Sequence, residues 1–129
     1  MERRVILTID DEKDNHEYIK SVLEDDYVDV ITALNGKEGL EKAIEMRPHL
    51  IILDIQMPVM DGFETFRNLK ATEKTADIPI IMLTGIAEKR GISFSKKDMG
   101  EFYGKEPEEY IEKPIDPDKL LTTVNKLIR

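Results

Sequence analysis

Five side chains with the chemistry to handle a metal ion or a phosphate group stand where short apolar runs give way to polar residues. They are Asp10, Asp11, Asp54, Thr84 and Lys113. Such boundaries mark strand ends in a chain that alternates strands and helices, and the carboxyl ends of parallel strands meet at one edge of a sheet. We therefore expect three carboxylates, a hydroxyl and an ammonium group to lie together.

Three carboxylates in one place repel each other, by about 4 kcal/mol for a close pair at the effective dielectric constant of a protein surface. A hard divalent cation with oxygen ligands relieves this repulsion, and Mg²⁺ typically combines one or two carboxylates with waters and a substrate phosphate. Asp54 is the candidate nucleophile, because a carboxylate that attacks phosphorus gives an acyl phosphate. Lys113 and Thr84 are candidate partners for the phosphoryl oxygens.

The elements that must position these residues follow from hydrophobic periodicity. Short, β-branched runs predict five strands at 5–9, 27–31, 50–53, 80–83 and 110–112. Apolar residues at helical spacing separate several of them and also follow the last one. The alternation predicts a single α/β domain over residues 1–129, with right-handed crossovers and a parallel sheet.

Local signals support the helix boundaries. Asp61 followed by Glu64 resembles a capping box, and Asp116-Pro117 combines a cap with proline at the first helical position. Pro48 is expected to end the second helix, because proline disrupts a helix interior. The sequence therefore predicts helix starts close to Asp61 and Asp116.

The stretch 50–62 reads LIILDIQMPVMDG, an acid at the end of an apolar strand followed by a Met-Pro turn and an Asp-Gly restart. Together with the Asp10-Asp11 pair and Lys113-Pro114, it resembles the receiver domain of bacterial two-component response regulators. The resemblance runs from Val5 to about Ile128. It implies a flavodoxin-like, doubly wound, five-stranded parallel sheet in the order 2-1-3-4-5, in which the first and third strands are neighbours.

The resemblance also implies a ligand set and a partner. Mg²⁺ would be ligated directly by Asp11, Asp54 and the backbone carbonyl of Gln56, while Asp10 would reach the ion through a water molecule. Asp54 would accept a phosphoryl group from a histidine kinase or a phosphotransfer protein. By the same resemblance the chain is a signalling domain, whose only catalysis is its own phosphorylation and dephosphorylation.

In this family a switch couples the phosphoryl group to the surface. The resemblance implies that Thr84 moves towards the phosphoryl group, that Tyr110 turns into the vacated space, and that Lys113-Pro114 is a cis peptide. A downstream protein, or a phosphorylation-dependent homodimer, would read the altered surface. The alternative for Tyr110 is a half-buried aromatic residue on an edge strand.

The segment between Thr84 and Lys113 is longer than in a typical receiver, and Gly91, Gly100 and Gly104 interrupt its helical pattern. We expect an atypical, lengthened fourth-helix region with one short helix at most and an irregular loop. Residues 86–109 are either a docking surface specific to this chain or a structural variation that covers the sheet edge. In the first case phosphorylation should act on them through the residues at their ends.

Composition excludes several classes of protein. The formal net charge of −8 argues against direct nucleic-acid binding, which depends on Lys and Arg. No apolar stretch approaches the roughly 20 residues of a membrane helix, and no signal-peptide pattern opens the chain, so a cytoplasmic protein is expected. Cysteine is absent. The two histidines are predicted to be non-catalytic, with His16 facing solvent and His49 in a turn.

Three other functions compete with that of a phosphorylated receiver. Phosphatases of the haloacid dehalogenase type need a second acid two residues after the nucleophile, where this chain has Gln56. Neither Gly36-Lys37 nor Gly104-Lys105 lies in a phosphate-binding P-loop pattern. A phosphorylation-independent adaptor receiver remains the alternative, although all five residues of the expected site are present.

Overall fold

A computed structural model describes residues 3–55, 60–85 and 107–128. The described residues form five strands and four helices in alternating order up to the fourth strand. In chain order they are β1 (Arg4–Ile9), α1 (Lys13–Leu23), β2 (Val28–Ala33), α2 (Gly36–Met46), β3 (Leu50–Asp54), α3 (Gly62–Ala71), β4 (Ile80–Thr84), β5 (Glu109–Glu112) and α4 (Pro117–Ile128). Each predicted strand is found, with ends that differ by one or two residues.

The five strands form one parallel sheet in the order β2-β1-β3-β4-β5, which confirms the predicted flavodoxin-like order. β1 and β3 are neighbours, and β1 also pairs with β2. β2 therefore lies on one side of β1, and β3 and the later strands lie on the other side. In such sheets the crevice at this switch point, beyond the carboxyl ends of the strands, is the usual ligand site.

The core consists of two apolar layers, one on each face of the sheet. On one face α1 and α4 cover Ile6, Ile52 and Leu83, and on the other α2 and α3 cover Leu7 and Leu53. β3 is buried along its whole length, as expected for a central strand of a parallel sheet covered on both faces. The strand ends that carry the polar residues are therefore held by a close-packed interior.

The predicted capping residues are observed. The Asp61 side chain accepts a hydrogen bond from the amide of Glu64 at 2.9 Å, and Asp116 accepts one from the amide of Lys119 at 3.2 Å. α2 ends at Met46, and Arg47, just before Pro48, adopts a left-handed conformation with φ of 46°. These contacts satisfy backbone groups that the helix ends leave without partners.

Two expectations fall outside the described residues. The proposed carbonyl ligand Gln56 belongs to residues 56–59, and most of the predicted lengthened fourth-helix region belongs to residues 86–106. Among the described helices, none is long and apolar enough to cross a lipid bilayer.

Candidate functional site at the carboxyl edge of the sheet

The register of the sheet brings the two strand-end acids of β1 and β3 side by side. Ile9 pairs with Leu53, so Asp10 and Asp54, the next residue along each strand, are adjacent. On the other side of β3, Asp54 pairs with Leu83, the residue before Thr84. The convergence predicted from the sequence thus results directly from the parallel pairing.

Asp10, Asp11 and Asp54 form a carboxylate cluster, in which one oxygen atom from each residue lies within 4.8 Å of the others. Asp10 and Asp54 are buried, whereas Asp11 is exposed. The cluster therefore has a closed side, formed by the sheet, and an open side that solvent reaches. Oxygen donors in this arrangement suit a hard cation that keeps part of its hydration shell, such as Mg²⁺.

Lys113 supplies positive charge to the two buried carboxylates. Its Nζ donates a hydrogen bond to Oδ1 of Asp54 at 2.9 Å and lies 3.8 Å from Oδ2 of Asp10. The residue follows β5, and its amide donates to the carbonyl of Thr84 at 2.7 Å. The bond from Lys113 to Pro114 is cis, as the resemblance implied.

The electrostatic environment keeps this lysine charged. Burial by itself lowers the pKa of the Lys113 ammonium group, but the hydrogen bond to Asp54 and the charges of Asp54, Asp10 and Glu12 outweigh it and raise the pKa above its ordinary value. A raised pKa in the folded state stabilises the fold below the unfolded pKa of about 10.4, and this stabilisation is lost as the pH rises through the folded value. The Lys113 ammonium group is therefore protonated throughout the neutral range.

The Asp10 carboxylate is held by the chain that follows it. Oδ1 accepts a hydrogen bond from the amide of Glu12, and Oδ2 accepts one from the side-chain amide of Asn15, both at 3.0 Å. Asn15 was not among the site residues predicted from the sequence. No sequence signal marks it, because the contact depends on how the chain turns from β1 into α1.

His16 was predicted to face solvent, and this prediction is wrong. Its side chain is buried with 4% exposure, and Nε2 lies 2.8 Å from the backbone carbonyl oxygen of Asp10. His16 shares one face of α1 with the buried residues Ile19 and Leu23. That spacing of three and four residues was a usable signal, which the polar character of histidine concealed.

Thr84 and Tyr110, the predicted switch pair, lie on neighbouring strands. Thr84 is the buried last residue of β4, and Tyr110 is half-buried on β5, opposite Met82. The Tyr110 ring packs against the core layer under α2 and α3. The position of Tyr110 is compatible with both interpretations of the sequence, in which it is either a switch residue or an aromatic residue on an edge strand.

Glycine is required at position 62, the first residue of α3, for a steric reason. A β-carbon at Gly62 would lie 2.4 Å from the carbonyl oxygen of Asp54 and 2.5 Å from the α-carbon of Ile55. The Gly62 amide donates to the Ile55 carbonyl at 2.7 Å. Only glycine allows α3 to begin this close to the end of β3, so the residue fixes how the loop after Asp54 returns to the sheet.

Comparison with known proteins places this chain in a family. Residues 6–125 match the family model described as the response regulator receiver domain. The chain is 33% identical over 124 residues to the DNA-binding dual master transcriptional regulator RpaA of Synechocystis sp., and 33% identical over 124 residues to the response regulator PleD of Caulobacter vibrioides. These matches cover 96% of this chain but only 48% and 26% of the two relatives.

Among solved structures, the chemotaxis protein CheY4 of Vibrio cholerae superposes with a TM-score of 0.81 at 32% sequence identity, covering 97% of this chain and 98% of the other. The likeness thus extends over the whole sheet and the helices on both faces. The matching family model, the shared fold and the acidic cluster at the switch point agree with each other. The chain belongs to the response regulator receiver domain family, the signalling domains of two-component systems.

Proposed function

We propose that this receiver accepts a phosphoryl group on Asp54, in the presence of Mg²⁺, from a histidine kinase or a phosphotransfer protein. The observation that carries the proposal is the contact between Lys113 Nζ and Asp54 Oδ1 at 2.9 Å, inside a cluster of three carboxylates. The pairing puts a fixed positive charge beside the one acid that ends the central strand. A phosphoryl group on Asp54 would meet a cation that is already in place.

The proposed step is a substitution at phosphorus. An oxygen atom of the Asp54 carboxylate attacks the phosphorus of a phosphohistidine, an oxygen–phosphorus bond forms, and the nitrogen–phosphorus bond breaks. The donor imidazole leaves with the electron pair of that bond, and the product is an acyl phosphate. Lys113 stays within reach of the phosphoryl oxygens, and Thr84, at the end of the next strand, is the proposed hydroxyl donor to another.

The donor set fits Mg²⁺, because its members are carboxylate oxygens with an open side towards solvent. Asp11, Asp54 and the backbone carbonyl of Gln56 would hold the ion, with Asp10 one water molecule away. When bound, Mg²⁺ would neutralise the carboxylates and the incoming phosphoryl oxygens. Asp10, fixed by Glu12 and Asn15, is suited to orient that water molecule.

The signal would leave the site through Thr84 and Tyr110, on the two strands at the β5 edge of the sheet. A downstream protein or a second copy of the chain would bind the changed surface, and the chain itself would not bind nucleic acid, since its net charge is −8. A cytoplasmic location follows from this role, because the phosphoryl donors of such systems act there.

The proposal is tested by incubating the chain with acetyl phosphate and Mg²⁺ and measuring its intact mass. We expect one phosphoryl group per chain, removable by hydroxylamine as an acyl phosphate is, and no phosphorylation when EDTA replaces Mg²⁺. The competing function is a phosphorylation-independent adaptor. A chain that binds Mg²⁺ but stays unmodified with acetyl phosphate and with phosphorylated histidine kinases would favour the adaptor.

A second expected result concerns stability. Asp11 lies in the acidic cluster on its exposed side, so replacing it with asparagine should raise the free energy of unfolding of the metal-free chain by about 1 kcal/mol, the size of one close repulsion in a watery medium. In a domain of this size this corresponds to a melting temperature higher by about 4 °C. Mg²⁺ should stabilise the wild type and have little effect on Asp11→Asn.

Thermal melts with EDTA and with a Mg²⁺ titration measure both effects. Asp54→Asn also removes repulsion among the carboxylates, but it weakens the ion pair with Lys113 at the same time. Asp11→Asn therefore isolates the effect of the repulsion better. Repulsion among the carboxylates would be excluded as a cause of instability if Mg²⁺ left the wild-type melting temperature unchanged and the metal-free variant melted at a lower temperature than the wild type.

A further inference from the structure

His16 is a buried polar residue whose role the proposed chemistry does not explain. It lies on the inner face of α1 with Ile19 and Leu23, although it carries two ring nitrogens that need partners or cost free energy when they are buried. Among the described residues, Nδ1 has no hydrogen-bond partner. Its position is therefore not explained by packing alone.

Within the described part of the chain, the ring forms its hydrogen bond with the backbone of the acidic cluster. Nε2 lies 2.8 Å from the carbonyl oxygen of Asp10. A carbonyl oxygen can only accept, so Nε2 carries the proton and donates. The hydrogen bond thus holds the peptide group that joins Asp10 to Asp11.

The orientation of that peptide group decides where Asp11 points. Asp10 is fixed on its other side, because its amide donates to the carbonyl of Ala33 at 3.1 Å and its carboxylate is held by two further hydrogen bonds. Asp11 is exposed and lies between the end of β1 and the start of α1, outside both elements. A change in ψ of Asp10 would turn this peptide group and carry the Asp11 carboxylate away from Asp54, while the amide of Asp10 stays bonded to the carbonyl of Ala33.

We infer that His16 is a positioning residue for the divalent-cation site, which it serves by fixing the Asp10–Asp11 peptide so that the Asp11 carboxylate faces Asp10 and Asp54. The inference rests on the proposed function, since it concerns the affinity of the same acidic cluster for Mg²⁺. Groups that orient metal ligands typically contribute about 10- to 100-fold to metal affinity. His16 differs from the usual case in that it orients the ligand through the backbone.

The test compares the Mg²⁺ dissociation constant, measured by calorimetry on the full chain, among four proteins. His16→Leu removes the donor and keeps an apolar group of similar size, and it should weaken Mg²⁺ binding at least tenfold. His16→Gln has an amide nitrogen at a similar distance from the backbone, so it should restore affinity to within about threefold of the wild type. The readout is metal affinity and does not depend on phosphorylation.

His49→Leu is the matched control. His49 is the second histidine and is partly buried, and its Nδ1 accepts a hydrogen bond from the amide of Val5 at 3.0 Å, at the opposite end of the sheet. Its loss should lower the melting temperature and leave the Mg²⁺ dissociation constant within twofold of the wild-type value. The control separates a loss of stability from a loss of positioning.

Phosphorylation by acetyl phosphate gives an independent measurement. With His16→Leu, the Mg²⁺ concentration for the half-maximal rate should rise by the same factor as the dissociation constant, while the rate at saturating Mg²⁺ stays within about threefold of the wild type. If His16→Leu does not fold, His16→Asn replaces it. The asparagine side chain is too short to reach the Asp10 carbonyl, whereas the glutamine of His16→Gln can reach it. Equal Mg²⁺ affinity in His16→Gln and His16→Asn would overturn the inference about His16 but not the proposed metal site. Unchanged Mg²⁺ affinity in a folded His16→Leu would have the same consequence. Absence of Mg²⁺ binding in the wild type would overturn the proposed metal site as well.

Discussion

Asp54→Asn is expected to abolish covalent phosphorylation of the chain. In the wild type, Lys113 Nζ lies 2.9 Å from Asp54 Oδ1. Asparagine has the size of aspartate and an oxygen that can accept the same hydrogen bond, so the fold should persist. It lacks the carboxylate that forms an acyl phosphate. Intact mass after incubation with acetyl phosphate and Mg²⁺ should show no added phosphoryl group, and the loss should exceed 100-fold in rate.

Asp61→Asn is the control for this variant. Asp61 is an exposed carboxylate that caps α3 by accepting from the amide of Glu64, and asparagine caps a helix about as well. This variant should be phosphorylated like the wild type. A wild-type yield with Asp54→Asn would refute the assignment, and peptide mapping of the modified chain would then identify the acid that accepts the group.

The arrangement of the acidic cluster was predictable because it depends on strand ends. An apolar run that stops at an acid marks where a buried strand reaches the sheet edge, and Asp10 and Asp54 both have this pattern. Parallel pairing then brings them together regardless of the sequence between them. The pairing of Lys113 with both acids follows in the same way, since it comes directly after β5.

Strand bounds were less predictable, since neighbouring strands decide them. β2 was expected at 27–31 but runs from Val28 to Ala33, because Thr32 and Ala33 pair with Thr8 and Ile9 of β1. Thr32 is polar and Ala33 is a weak strand former, so neither continues the apolar pattern that ends at Ile31. Backbone hydrogen bonds with β1 extend β2 beyond the residue at which the pattern of apolar side chains ends.

Contacts between a helix and a distant turn were not predictable from one sequence. The Tyr18 hydroxyl donates to the carbonyl of Ile115 at 2.8 Å, which ties α1 to the turn that follows Lys113. Asn15, Tyr18 and Lys113 also line one cleft of about 420 Å³ together with Pro114 and Ile115. Such contacts depend on how the helices seat on the sheet, which propensity and periodicity do not determine.

Lys113→Met is expected to have the second large effect, on both stability and reactivity. Asp10 and Asp54 are buried, and the ammonium group of Lys113 pairs with both of them. Removing one partner of a buried ion pair costs about 3–5 kcal/mol, because it leaves charge uncompensated. Lys113 is 27% exposed, so solvent reduces the cost and we expect about 2–3 kcal/mol. Chemical denaturation of the metal-free chain measures this loss.

Phosphorylation should slow in the same variant by about 10²-fold, the usual effect of removing one fixed group that stabilises developing charge. Lys126→Met is the matched control: Lys126 pairs with Glu109 at 3.4 Å on the surface, where an ion pair contributes less than about 1 kcal/mol. This control should match the wild type in the rate of phosphorylation.

Mg²⁺ distinguishes the electrostatic explanation from a simple loss of packing. In the metal-free wild type, the ammonium group of Lys113 compensates the charge of the two buried acids, whereas in Lys113→Met a bound metal ion can supply this compensation. Mg²⁺ should therefore raise the melting temperature of Lys113→Met by more than that of the wild type. If the cost of the substitution came from lost packing around the lysine stem, Mg²⁺ would stabilise both proteins equally, and the role assigned to Lys113 would be wrong.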